Sequence, residues 1–416
     1  MFSNVSRSRL LPMSLPFRYF GAAAAFQLAA WAVLFFSATE LLSFHGGLGP
    51  VFSALHLLTL GVLAMTAIGA TLQLLPVATR QPVRALWAVK LLWWSLVPGI
   101  VVFTAAAAAY RPDLMGPGAM LVVAAFALYA ALLWKNLAGA RGMRVVVLHG
   151  WAALACLVAL AGTGIALVAR YEHGIALDHG AFRAAHVALA AYGFMGLLAA
   201  GLSGFLLPML AVAPPPPSRP SYAALATAVA AIGLASFGLI TLAAFLGLAA
   251  AIAHIVSLER SLRARLRSPL GPAFVLIRTS WVCLLASLAL AALGFPGGTQ
   301  LFGVLLVPGW LLSFLLGVMQ RILPFLGSVH ASSTSRGTPL ISALTPVRLL
   351  AVHRALHLGA LVLLLGAVLS GEPALARIGA AAGLAAAAAF VVFFAYVLLK
   401  VRSHGKPYPP SQPAPA

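Results

Sequence analysis

Apolar residues run through this chain in stretches of about twenty or more, and the breaks between them are short clusters of Arg, Lys, Pro, Gly and polar residues. Within a stretch the apolar residues fall on every side of a helix, the pattern of a segment surrounded by hydrocarbon rather than half-exposed to water. A bilayer core about 30 Å thick takes about 20 such residues in one helix, with every backbone group bonded inside the span. Twelve stretches reach that length, near 18–42, 50–78, 84–109, 117–138, 144–168, 182–211, 221–241, 243–264, 272–294, 299–326, 350–370 and 374–400. The run from 221 to 264 is too long for one crossing and is broken only at Gly233, Ser236 and Gly238, so the seventh and eighth spans are divided there. The pattern predicts an all-α integral membrane protein of about twelve transmembrane helices.

Composition and charge turn that pattern into a topology. Of 416 residues 62% are hydrophobic and only 8% charged, where a soluble domain carries roughly a quarter. Basic residues such as Arg7, Arg80, Arg144, Arg263, Arg265, Arg267, Arg348 and Lys400 collect in alternate loops, with Arg111, Arg170, Arg183 and Arg377 as exceptions. Five carboxylates, Glu40, Asp113, Glu172, Asp178 and Glu372, fall on the other side, and Glu259 alone joins the basic residues. Cationic loops stay in the cytoplasm during insertion, so both termini are expected there and the chain in a bacterial inner (cytoplasmic) membrane. The net charge of +20 then follows from topology, and no nucleic-acid partner is needed; the partner is the lipid bilayer. Residues 1–17 read as a cytoplasmic segment with no cleavage-type signal, 18–400 as the transmembrane domain and 401–416 as a disordered cytoplasmic tail; the Pro214 to Pro217 loop reads as disordered too. Cys156 and Cys283 fall inside spans and read as packing residues, and Trp87, Trp93 and Trp94 as interface anchors.

The second, sixth and tenth spans share one motif: Gly, seven residues, Gly, six residues of which the last is Leu, then Pro. It occurs as Gly61, Gly69, Leu75, Pro76; as Gly193, Gly201, Leu207, Pro208; and as Gly309, Gly317, Leu323, Pro324. The intervals hold four spans each, which divides the chain into repeats of about 18–138, 144–264 and 272–400. At 100° per residue the three positions form one stripe, suited to close helix packing or to the backbone approaching a bound macrocycle.

The stretches from His56-Leu57-Leu58-Thr59-Leu60-Gly61 to Gln73-Leu74-Leu75-Pro76, and from His186 to Leu206-Leu207-Pro208, carry a resemblance. Together with the span count they resemble subunit I of the heme-copper oxidase superfamily, and length and span number are similar to its NnrS family of heme- and copper-containing proteins linked to nitric oxide stress. The resemblance implies three pseudo-symmetric four-helix arcs. It implies that His56 stands at the place of an axial ligand of heme b and His186 at the depth of a copper ligand, without the family's following Pro-Glu-Val-Tyr. The adjacent His pair of the seventh span is missing from Tyr222 to Ile240, and the His-x-His of the tenth is missing from Leu301 to Leu323. Copper is therefore not expected in the family's usual site, since one imidazole in an apolar site does not hold it. Proton uptake is poorly provided for: Glu259 is the one carboxylate on the inner side, and Lys90 the one lysine expected to be buried. What the resemblance implies is a divergent, heme-binding relative in respiratory electron transfer or nitric oxide and oxygen handling. It would be an oxidoreductase if an enzyme at all, working with respiratory subunits or a periplasmic electron donor.

Relative to the glycine stripe, His186 lies on the same face and His56 nearly opposite, which predicts that they point into different interhelical spaces. For each, a hydrogen-bonded packing role is the plainer alternative. A second cluster, Glu172, His173, Asp178 and His179, precedes Arg183 and His186; with a helix starting near Asp178, His179, Arg183 and His186 share a face. His173 and His179 there suit a divalent metal or a docking donor protein, or simply a solvated loop. His353 and His357, four apart at the start of the eleventh span beside Arg348 and Arg354, suit a two-imidazole metal edge, or headgroup contact or hydrogen bonding at the inner surface. His149 and His254 read as interhelical hydrogen-bonding residues. A cofactor-free transporter or assembly factor is the competing reading of the whole chain. Walker loops, nucleophile elbows and zinc-protease motifs are absent, which argues against an ATPase or hydrolase.

Overall fold

The structure, a computed structural model, describes residues 10–266, 270–294, 298–331 and 339–404; Arg7, Arg267 and the tail from Lys406 lie outside the described residues. Twelve long helices are present among them. They are α1 (Ser14–Phe36), α2 (Pro50–Thr79), α3 (Leu86–Ala108), α4 (Met115–Ala138), α5 (Arg144–His173), α6 (His179–Ala211), α7 (Ser218–Ser236), α8 (Ile240–Arg263), α9 (Ala273–Leu293), α10 (Thr299–Ala331), α11 (Val347–Ser370) and α12 (Pro373–His404). Eleven are long and apolar enough to cross a membrane, and no strand occurs among the described residues. The protein is an all-α, multi-pass membrane protein. The exception is α7, whose first turn is occupied by Ser218, Arg219 and Ser221. The long run from 221 to 264 is divided at Phe237–Leu239, where Gly238 takes φ +81°, a left-handed turn that suits glycine.

Helices adjacent in sequence pack against one another around the molecule, and α12 packs on α1 to close the ring. The middle segments of α2 and α6 each meet that of α10 in the interior. All three inner helices widen into a π-helical stretch at the corresponding place, Leu57–Ala64, Ala188–Gly196 and Leu305–Leu312, and all three carry their repeat proline, Pro76, Pro208 or Pro324, further along. The glycine stripe has one job in each unit. A Cβ on Gly61 would lie 2.7 Å from Phe26, on Gly193 2.8 Å from Cys156, and on Gly309 3.0 Å from Cys283. On the next repeat position it would lie 2.8 Å from Tyr19 for Gly69, 2.6 Å from His149 for Gly201 and 2.8 Å from Ile277 for Gly317. The inner helix of every unit is thus pressed, at both glycines, onto the first helix of that unit, and the space a macrocycle would need beside the stripe is filled by protein. The two cysteines are the contact residues of this packing and are free.

Polar side chains inside the bundle are tied across helices, as hydrocarbon surroundings demand. Tyr19 donates to the Val89 carbonyl at 2.6 Å, Thr71 and Tyr129 bond at 2.8 Å, and Thr79 donates to Asn136 at 2.9 Å. Arg278 forks onto Glu259 at 2.7 and 3.0 Å, joining α9 to α8. Two expectations fail here. Lys90 is exposed on the outside of α3 rather than buried. The Pro214 to Pro217 loop is held in place, with Ser261 donating to the Pro214 carbonyl and Leu266 N–H to the Val212 carbonyl at 2.9 Å.

Candidate functional site

The site opens at the end of the bundle that carries Glu172, Asp178 and Arg183. Asp178 caps α6 by accepting from Ala181 N–H at 3.0 Å, so the helix starts at His179 and places His179, Arg183 and His186 on one face, as their spacing predicts. That face lines a cavity of about 820 Å³. The cavity lies between α2, α4, α5 and α6 and continues past α6 to α7, α8, α9 and α10. Its walls are mostly apolar, with Phe52, Phe103, Met115, Val122 and Phe126 on the α2–α4 side. Arg183 and His179 stand at the mouth with His45, whose backbone carbonyl accepts from Arg183.

His56 and His186 both line this cavity and are near enough to interact electrostatically. This corrects the expectation of separate interhelical spaces. The reason is where each helix sits in the ring: α2 turns the side opposite its glycines toward Phe103 of α3, while α6 turns its glycine side toward α5, and both sides border the same space. His56 packs on Phe52, ring centroids 4.0 Å apart, and edge-on to Phe103 at 5.3 Å.

The proton positions follow from the hydrogen bonds. His56 Nδ1 lies 3.0 Å from the Phe52 carbonyl, an acceptor only, so Nδ1 carries the proton and Nε2 is a bare lone pair with no bonding partner among the described residues. His186 Nδ1 lies 3.3 Å from Thr163 Oγ1. That hydroxyl also lies 3.0 Å from the Leu160 carbonyl; when it donates there it accepts from His186 Nδ1–H, the tautomer that leaves His186 Nε2 free for a ligand. An imidazole whose far nitrogen is held by a protein acceptor while the near one is free is the arrangement metal-binding histidines use.

The other sequence candidates separate. Glu172 accepts from Gly116 N–H at 2.7 Å at the start of α4, so with Asp178 both carboxylates of the loop cluster serve helix starts. His173 is exposed beside Glu172 at 3.8 Å, whereas His179 packs edge-on to Tyr171 and faces the cavity mouth. His353 and His357 are fully buried against α10 and α12 and hydrogen-bonded to Ser313 and Gln320, so of the two alternatives it is hydrogen bonding and not headgroup contact that they make; the α11 face they occupy is the one that packs inward. His254 bonds Ser203 of α6 at 3.0 Å, while His149 bonds its own helix at the Val145 carbonyl, 2.8 Å away. Among the described residues no group of three or more His, Cys, Asp or Glu comes together to hold a metal ion. Sequence reasoning missed His45, which sits in the Phe44-His45-Gly46-Gly47 turn with no helical periodicity to mark it, and His330, which pairs with Gln73 at 3.1 Å across α10 and α2. No protein-family model matches the chain, and no curated protein matches it at a significant level.

Proposed function

We propose that this protein is a heme-binding membrane protein of respiratory electron transfer, a divergent relative of the heme-copper oxidase subunit I scaffold. The observation that carries this reading is the pair His56 and His186: two imidazoles in one apolar cavity, each with Nδ1 tied to the protein and Nε2 free. The residues fit heme b. His56 and His186 would hold the iron, the Phe52, Phe103 and Phe126 side chains would face the porphyrin, and Arg183 with His179 at the mouth would meet its carboxylates. The bound group supplies one-electron redox chemistry. With both His56 and His186 holding the iron, the chemistry the group would supply is electron transfer rather than capture of nitric oxide or oxygen. The low polarity of the walls and the hydrogen bonds at Phe52 and Thr163 are what this chain contributes to the potential.

The same reading places the chain in a bacterial inner membrane, with both termini cytoplasmic and the Arg183 mouth facing the periplasm, where an electron donor or a respiratory subunit would dock. His173, exposed beside that mouth, belongs to this docking face rather than to a metal site. Copper has no place in the reading at the family's usual position.

The full-length protein purified in detergent tests it. We expect a Soret band that His56→Ala and His186→Ala each abolish or shift. A protein that folds, is supplied with heme during expression and shows no Soret band favours the transporter or assembly-factor reading.

A further inference from the structure

Away from the cavity, α11 carries two imidazoles that the proposed heme site does not use. His353 and His357 are 0% and 1% exposed, one turn apart, with ring centroids 6.4 Å apart and planes within 10° of parallel. Each is gripped by α10 at one edge. Ser313 Oγ lies 2.8 Å from His357 Nε2, and the Gln320 amide nitrogen lies 2.8 Å from His353 Nδ1. Ser313 donates its proton to the Pro308 carbonyl at 2.9 Å, so it accepts from His357 Nε2–H, and His357 Nδ1 is a bare lone pair. An amide side chain can present either end to a ring. With the amide nitrogen donating to Nδ1 the ring proton sits on Nε2; reversing the amide, so that the Gln320 oxygen accepts from Nδ1–H, is the arrangement that leaves Nε2 a bare lone pair as well, and metal binding requires it.

Those two nitrogens, His353 Nε2 and His357 Nδ1, are buried without a hydrogen-bonding partner. Folded interiors rarely leave such atoms unmet, and an unexplained one points to an ion or ligand. A third side chain at this depth has the same property. On α1, Gly21 faces Phe394 and Trp31 lies against Gly383, which sets the intervening Gln27 level with the part of α12 around Phe390. Phe390 is the residue against which His353 packs, ring centroids 5.5 Å apart, and both polar atoms of Gln27 are buried and unbonded.

We propose that His353 and His357 form a second site, separate from the cavity, that takes one univalent soft transition-metal ion of the copper(I) class. The i, i+4 spacing puts both rings on one helix face, and each ring's opposite nitrogen is fixed by a hydrogen-bonding side chain, as in histidines that bind metals. Charge selects the ion. The helices around the site, α1, α10, α11 and α12, contain no Asp or Glu, and Arg354 is a nearby cation. A divalent ion would be buried there with its charge uncompensated, and zinc takes four ligands. A univalent d¹⁰ ion is satisfied by two neutral nitrogens, and imidazole is a suitable donor for copper.

The full-length protein in detergent is titrated with copper(I) against a chromophoric chelator, and the loaded wild type is examined by X-ray absorption. We expect one tight equivalent with two nitrogen neighbours and no sulfur neighbour. His353→Ala and His357→Ala each remove it, Ser313→Ala weakens it about 10–100-fold, and His56→Ala leaves it in place, which separates this site from the heme reading. Absence of a tight equivalent in the wild type overturns the proposal, and so do sulfur neighbours or an equivalent that survives both histidine variants. If the His353 and His357 variants do not fold, X-ray absorption of loaded His56→Ala, in which the cavity pair is broken, decides the matter: two nitrogen neighbours support the site on α11, and loss of the equivalent overturns it.

Discussion

Arg278 donates to both carboxylate oxygens of Glu259, at 2.7 and 3.0 Å, across the α8–α9 contact. The one carboxylate at the basic end is thereby the partner of an arginine set inside a span, and two features that look unrelated in the sequence cancel each other's charge. Removing either side leaves an unpaired charge near hydrocarbon. Glu259→Gln is expected to lower stability by about 1 kcal/mol, since the pair is partly exposed. Adding Arg278→Gln should recover part of the loss in a double-mutant cycle read by thermal unfolding in detergent. Strict additivity of the two losses would show that the pair does not interact.

The repeat glycines are expected to respond alike. Gly61→Ala, Gly193→Ala and Gly309→Ala each push a methyl group into the first helix of their unit and should destabilise by ~1–3 kcal/mol. Gly162, on α5 with nothing within 4 Å of its added Cβ, is the control, and Gly162→Ala should be neutral or stabilising. If the three repeat variants unfold at the wild-type temperature, the close packing inferred for the stripe is wrong.

How much of this was legible beforehand can be judged residue by residue. The apolar runs gave the helices, because length and lack of charge are local properties; α7 is placed about three residues earlier than its hydropathy suggested, since Ser218 and Arg219 join the helix despite being polar. The glycine repeat gave the inner helices α2, α6 and α10, because backbone contact needs glycine at fixed spacing. The shared cavity of His56 and His186 was not legible. Angles around a single helix say which side a residue takes, but only the ring arrangement says that opposite sides of α2 and α6 border one space. The burial of His353 and His357 was hidden for a similar reason: Arg348 and Arg354 mark the end of the span, while their partners Ser313 and Gln320 come from a distant stretch of chain.

Orientation in the membrane is open to direct test. A fluorescent protein fused after residue 416 should fold and fluoresce in bacterial cells, and an alkaline phosphatase fused there should be inactive. Active phosphatase at that position would invert the topology and move the Arg183 mouth to the cytoplasm.

Thr163 is a positioning residue for His186. Thr163→Val removes the acceptor that fixes the Nδ1 proton and should weaken heme retention by about 10-fold while leaving the fold intact. Unchanged heme affinity would show that His186 does not depend on this bond.

Electron paramagnetic resonance of the oxidised, heme-loaded protein reaches the core of the account most directly. Ligation by His56 and His186 together predicts a low-spin ferric signal that turns high-spin when either histidine is replaced by alanine. A high-spin signal in the wild type, or a low-spin signal untouched by both substitutions, would contradict it.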